Sequence, residues 1–236
     1  GAIWYQGENE GSRGLGEEYK TTFPLMIDTW RKRWSQGDFP FIFVQLAAFR
    51  SPTEEPSDPD WARLREAQLY TLKNVPNTGM AVAIDGGLTK NIHPPYKHLV
   101  GKRLAAEALR VAYDSEEVSQ GPLFRKMSVK DNKAVLRFDS IGSGMMAKSM
   151  TLDAYGESPI EVSGKELRGF TIAGEDKVFY PATAVIKRKT IVVESPNVEK
   201  PVAVRYGWAE FPICNLYNKE GFAASPFRTD DWAQAN

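Results

Sequence analysis

The chain has 236 residues, 30 basic and 30 acidic side chains, a formal net charge of zero and 42% hydrophobic residues. Balanced charge argues against a nucleic-acid or anionic-membrane partner, since both demand a basic face. No apolar run approaches the roughly 20 residues of a membrane span, and the opening residues do not read as a signal peptide.

Ala2-Ile3-Trp4-Tyr5 reads as an apolar strand that starts at the first residues without a lead-in. A chain seldom opens inside a core strand, so this one is expected to be a piece of something longer. Gln6-Gly7-Glu8-Asn9 closes the strand. A side-chain amide beside a glycine there suits donation to a developing oxyanion, with Glu8 and Asn9 fixing the loop or touching substrate. A plain polar turn is the competing reading. Tyr19, Phe23, Met26, Ile27, Trp30 and Trp34 recur at three- and four-residue spacing and predict a helix over 17–34 with one apolar stripe.

Phe41-Ile42-Phe43-Val44-Gln45-Leu46 is a continuous apolar strand, as expected where both faces of a parallel sheet are covered. A Pro/Ser/Asp/Glu-rich loop follows at 50–59, then a helix over 61–73 with Asp60 as its cap, then a strand over 79–85. A last helix spans 95–112. This alternation predicts an α/β unit over 1–114 with a parallel sheet and helices. Only three strands are visible in it, which again points to a missing upstream part.

Ile92-His93-Pro94 lies at the mouth of the last strand-to-helix loop. Ligands of open α/β sheets bind at the carboxyl ends of the strands, and an imidazole titrates near neutrality. His93 is therefore the candidate general base, against a structural histidine capping the helix. Asp85 has two readings, the carboxylate that orients the imidazole or a turn former ahead of Gly86-Gly87. Asn91 is placed to shape the loop. His98, five residues on, should face elsewhere, and Lys97 and Lys102 read as solvated flanking residues.

From about residue 120 short alternating segments take over, at 126–129, 133–138, 149–153, 159–162, 168–172, 183–187, 190–194 and 202–206. Asp131-Asn132 and Pro196-Asn197 read as turns between neighbouring strands. Residues 115–236 are thus expected to form an antiparallel β-sandwich-like domain. Gly142-Ser143-Gly144 lacks the spacing and the strand-turn-helix setting of a nucleophile. Cys214 is the single cysteine, which excludes an internal disulfide and reads as a small buried hydrophobe. With it and only two histidines, no metal site of the usual zinc-ligand type is expected.

Three blocks, in order, resemble one family. The first is Gly1-Ala2-Ile3-Trp4-Tyr5-Gln6-Gly7-Glu8-Asn9. The second is Ile92-His93-Pro94 with Lys97, Val100-Gly101, Arg103 and Leu104-Ala105. The third runs through Val202-Ala203-Val204-Arg205-Tyr206-Gly207-Trp208, Asn215-Leu216-Tyr217-Asn218 and Ser225-Pro226-Phe227-Arg228-Thr229-Asp230. These are similar to the sialate O-acetylesterases of the SGNH (GDSL-like) hydrolase superfamily. The resemblance implies a flavodoxin-like SGNH sheet, here partial, and a serine esterase that removes acetyl groups from sugars without a cofactor. His93 becomes the base and Gln6 the oxyanion donor. The nucleophilic serine belongs to an earlier block with no counterpart here, so the N-terminal portion of the same protein is the implied partner and the chain alone is expected to be inactive. Secretion or a periplasmic location is implied as well. The family pattern often has Asp two or three residues before the histidine, where this chain has Lys90 and Asn91. Either Asp85 supplies the carboxylate, or the site runs as a Ser-His dyad, the reading preferred here. Rival readings are an acetylxylan or other hemicellulose esterase, a non-catalytic carbohydrate-binding module and an inactive esterase-like module.

Overall fold

The computed structural model describes residues 1–233. Strand β1 (Ala2–Trp4) leads into a short helix α1 (Glu8–Ser12) and the long helix α2 (Gly16–Trp34). There follow β2 (Phe41–Gln45), β3 (Pro52–Thr53), α3 (Asp60–Asn74), β4 (Thr78–Val82) and α4 (Lys97–Tyr113). β1, β2 and β4 form an all-parallel sheet in the order β1-β2-β4. Every residue of β2 and β4 is buried, because helices cover both faces. Phe41, Phe43 and Met80 pack toward Tyr19, Phe23, Ile27 and Leu64 of α2 and α3, whereas Val44 and Ala83 meet Val100 and Leu104 of α4. The stripe on α2 is shorter than its spacing suggests: Trp34 is 57% exposed, its ring resting on Trp30 and Phe39.

The second half is antiparallel. Its strands are β5 (Leu123–Lys130), β6 (Lys133–Asp139), β7 (Met145–Ala147), β8 (Met150–Leu152), β9 (Ile160–Val162) and β10 (Phe170–Ala173). They continue as β11 (Phe179–Pro181), β12 (Thr183–Lys187), β13 (Thr190–Glu194), β14 (Ala203–Tyr206), β15 (Phe211–Pro212), β16 (Leu216–Asn218) and β17 (Phe227–Arg228). Two four-stranded sheets, β12-β13-β6-β5 and β11-β10-β14-β17, share one core, with Leu136, Ile191 and Val193 from the first and Phe170, Ile172 and Val204 from the second. Asp131, in the left-handed region at φ 54°, turns the β5–β6 hairpin as its sequence predicts. Pro196-Asn197 makes a tight turn closed by the antiparallel bridge between Ser195 and Val198, but the longer strands on either side of it do not pair with each other. β13 pairs with β12 and β6, while β14 joins the other sheet, so the segment crosses between sheets. β3, β7, β11 and β15–β17 carry no alternation long enough to have marked them; each has two or three residues.

α3 is the hinge pin of the molecule. It buries Trp61, Leu64, Arg65, Ala67 and Gln68 between the parallel sheet and the β-rich half. β3 pairs in parallel with β15, which binds the loop after β2 to the second half.

Candidate active site

Two loops open at the carboxyl end of the parallel sheet, one after β1 and one after β4. The first is the Gln6 turn. Gly7 has φ 136°, and a Cβ there would lie 2.6 Å from Leu64 Cδ2, so conformation and space both demand glycine. The turn begins the helix α1 rather than forming a simple polar bend, which puts Gln6 and Glu10 one helical turn apart. Gln6 Nε2 donates to Glu10 Oε2, and the Tyr19 hydroxyl donates to Gln6 Oε1 at 2.8 Å. The two bonds fix which end of the amide is nitrogen and leave one N–H to spare. Below, Gln68 Nε2 donates to the backbone carbonyls of Gln6 and Val44 at 3.2 and 3.1 Å, and its Oε1 accepts from Leu46 N at 2.9 Å. Glu8 is half-buried and Asn9 exposed.

The second loop carries His93. β4 ends at Val82, so Asp85 sits within the loop and not on the strand. Gly87 runs so close to Ala48 that a Cβ would fall 1.8 Å from its carbonyl oxygen. Thr89 donates to Asp153 through both its N–H and its hydroxyl, each at 3.0 Å. Lys90 pairs with Glu157. Asn91 Oδ1 accepts from His93 N at 2.9 Å, an Asx turn that presents the histidine. Pro94 is buried behind it, and His93 itself is exposed. The expectation that Asn91 shapes the loop is thus met through the backbone.

Asp85 does not reach His93. Its two oxygens accept from both terminal nitrogens of Arg103, at 2.5 and 2.8 Å, and one also accepts from the Tyr217 hydroxyl. The side chain is 9% exposed. Burial pushes the carboxyl up, but the adjoining Arg103 guanidinium and the Tyr217 hydroxyl outweigh it and hold the group below the usual carboxylate range. Its hydrogen bonds go to Arg103 and Tyr217 and none of them to the imidazole. Among the described residues, no carboxylate or hydroxyl is hydrogen-bonded to the His93 ring, and no cluster of three or more His, Cys, Asp or Glu side chains is set to hold a metal ion.

The remaining expectations fall as follows. His98 is exposed on the first turn of α4, its ring 3.8 Å from that of Tyr96. Lys97 is not merely solvated; its ammonium lies 5.5 Å from the centroid of Tyr5, next to the Gln6 turn. That contact brings the start of α4 to the end of β1 at the carboxyl end of the sheet. Cys214 is buried, and burial pushes its thiol up to about 12. The parts that sequence reading missed are the holders: Glu10, Tyr19 and Gln68 around the amide, and Asp153 beneath the histidine loop. Only Glu10 left a signal, its four-residue spacing from Gln6.

A short parallel sheet bearing an amide and a histidine at one end, with an antiparallel β-rich half behind it, is an arrangement that matches the fold of a carbohydrate esterase. Residues 1–110 match the family model described as carbohydrate esterase, sialic acid-specific acetylesterase. The sialate O-acetylesterase of Rattus norvegicus is 28% identical over 252 residues, covering 96% of this chain and 43% of that protein. The crystal structure of a carbohydrate acetylesterase from Xanthomonas citri superposes with a TM-score of 0.86 at 42% identity, over 98% of this chain and 50% of that one. The chain therefore spans half or less of the length of these relatives, and it is similar to them across nearly all of its own. No helix among the described residues is long and apolar enough to cross a membrane.

Proposed function

We propose that this chain supplies the general base and an oxyanion donor of a carbohydrate O-acetylesterase. The supporting observation is the shared end of the sheet: an exposed imidazole on a braced loop after β4 and an amide of fixed orientation after β1 both stand at the carboxyl end of the parallel strands. In this reading His93 takes the proton of a serine hydroxyl as its oxygen bonds to the acetyl carbonyl carbon. The spare N–H of Gln6 donates to the oxyanion that forms. The intermediate collapses, the sugar oxygen leaves with the proton from His93, and water repeats the sequence to release acetate. The serine comes from a segment outside residues 1–236, since none within them stands in a nucleophile's setting. His93 works as the base of a dyad, its ring oriented by the loop and not by Asp85. Export to an extracellular or periplasmic space completes the proposal.

The test uses the full-length protein with p-nitrophenyl acetate and an O-acetylated sialoside. His93→Ala should cost several orders of magnitude in turnover, because catalytic residues act as a unit. His98→Ala should be nearly silent. Gln6→Ala should lower kcat by about 10²–10³-fold with little change in KM. Equal losses from the two histidine variants, or a Gln6 effect confined to KM, would refute these assignments. Preference for acetylated xylan over the sialoside would move the substrate to hemicellulose.

A further inference from the structure

A net charge of zero is an average over the whole chain, and the solvent side of the sheet β12-β13-β6-β5 departs from it. Ala134, Leu136, Ile191 and Val193 face the core, so their neighbours along the strands point outward. Pairing sets those outward residues in rows. Lys187 lies opposite Thr190, Thr190 opposite Arg137, and Arg137 opposite Lys126. Nearer the β5–β6 turn, Lys130 lies opposite Lys133. Between these rows Val185, Val192, Val135 and Ser128 form another.

Like charges set directly opposite each other in adjacent strands repel and cost stability. One strand pair does so twice here, and Arg188 and Lys189 add charge in the turn beyond Lys187. Arg188 stands there at φ 57°, a left-handed position that asparagine or glycine fills at less cost. The acids are fewer. Glu194 pairs with Lys133 and Asp139 with Arg125, and Asp131 sits in the β5–β6 turn. Among the described residues no carboxylate lies within ion-pair distance of Lys126, Lys130, Arg137, Lys187, Arg188 or Lys189. The groove along the free edge of β12 adds no net charge, since Lys165 and Glu166 line it together with the Arg168–Glu54 pair. The fold draws no stability from these crowded cations, whereas an external anion would relieve them.

The rest of the face narrows the partner. None of its outward residues is aromatic, so it lacks the platform on which sugars and unpaired bases stack. Its middle row is aliphatic, and the stems of lysine and arginine pack along such a strip with their charges outward. Cations spread around a shallow apolar strip suit a surface of anionic headgroups, which needs neither a pocket nor a stacking ring. We propose that this sheet face docks the protein on an anionic lipid surface. The proposal is independent of the esterase reading, because no residue of this face enters that mechanism.

Flotation of the full-length protein with vesicles tests it, using phosphatidylcholine alone and an equal mixture of phosphatidylcholine and phosphatidylglycerol. The protein should float with the mixed vesicles, stay behind with the neutral ones and be released as NaCl is raised. Each cation near such a surface is worth about fivefold in partitioning, so the triple variant Lys126→Gln, Arg137→Gln, Lys187→Gln should bind about 10²-fold more weakly. It should melt no lower than wild type, because a repulsive pair is gone. Exchange of the same residues for the other base, Lys126→Arg, Arg137→Lys, Lys187→Arg, should keep binding. Loss of three exposed cations from other elements, Arg33→Gln, Lys102→Gln, Lys219→Gln, should weaken it far less. No flotation, equal flotation with both kinds of vesicle, or equal losses in the two glutamine variants would overturn the proposal. So would binding of heparin or duplex DNA by a protein that ignores the vesicles, since the face would then serve a soluble polyanion.

Discussion

Gln6 and Asp85 show how a side chain's role is set by its hydrogen bonds. Gln6 keeps a spare donor because Tyr19 and Glu10 occupy the rest of its amide in one orientation. Asp85 is committed to another partner, since Arg103 engages both of its oxygens and Tyr217 one of them. Replacing Asp85 by Asn leaves the Arg103 charge buried without its partner, a loss of about 3–5 kcal/mol in stability at neutral pH. The folded-state pKa of Asp85 lies below its ordinary value of 3.8, so its contribution is complete above that value and disappears as pH falls through the folded pKa. Urea unfolding of wild type and Asp85→Asn should therefore differ most near neutrality and converge in strong acid. A wild-type-like urea midpoint for the variant at pH 7, with turnover reduced by about 10⁴-fold, would restore Asp85 as the partner of His93.

At the scale of elements, the turn joining β8 to β9 clamps the histidine loop. Asp153 sits in this turn at φ 52°, 1% exposed, with both oxygens on Thr89. Asn tolerates the left-handed backbone and retains an acceptor, whereas Ala loses both advantages. Asp153→Ala should then lower kcat by up to about 10²-fold, the scale of a 1 Å misplacement of a catalytic group. Asp153→Asn should lower it much less. Equal kcat for wild type and the Ala variant, with a normal melting transition, would show that the clamp is irrelevant to catalysis. Helices α2, α3 and α4 were legible because their apolar residues recur at the helical period. The clamp was not, because a turn of a few polar residues has no period and its partner lies 64 positions away in the chain.

Across the whole molecule the two halves are joined by buried polar groups as well as apolar ones. Arg65, with no exposed surface, donates to the carbonyls of Leu46, Ala47, Ala209 and Glu210. Burial pushes its guanidinium down to about 9. Beside it, Gln45 Nε2 donates to Arg65 O and Ser225 Oγ, both at 2.9 Å. A second seam is ionic: the guanidinium groups of Arg205 and Arg228 both lie over the Trp208 ring and pair with Asp230 and Glu66 respectively. Arg65→Met would remove one donor from each of these four carbonyls, of which Ala47 keeps Trp61 Nε1 and Glu210 keeps Phe49 N, and should cost roughly 3 kcal/mol. Cys214 reports the result. With its thiol held at about 12, alkylation at pH 8 requires opening of the core, so its rate should rise in step with the loss of stability. Rapid alkylation of the wild type in native buffer would contradict a closed interface.

Local pattern determined what depends on local pattern. Period and punctuation marked the parallel strands, the three long helices, the β5–β6 hairpin and the antiparallel character of the second half, while short motifs singled out Gln6 and His93, the residues on which the proposed mechanism rests. Tertiary structure alone decided where strands cross between sheets, that Asp85 pairs with Arg103, and that Asp153 braces the histidine loop. Those outcomes depend on side chains far apart in sequence competing for the same few buried partners, and such a competition is settled only when the chain is packed.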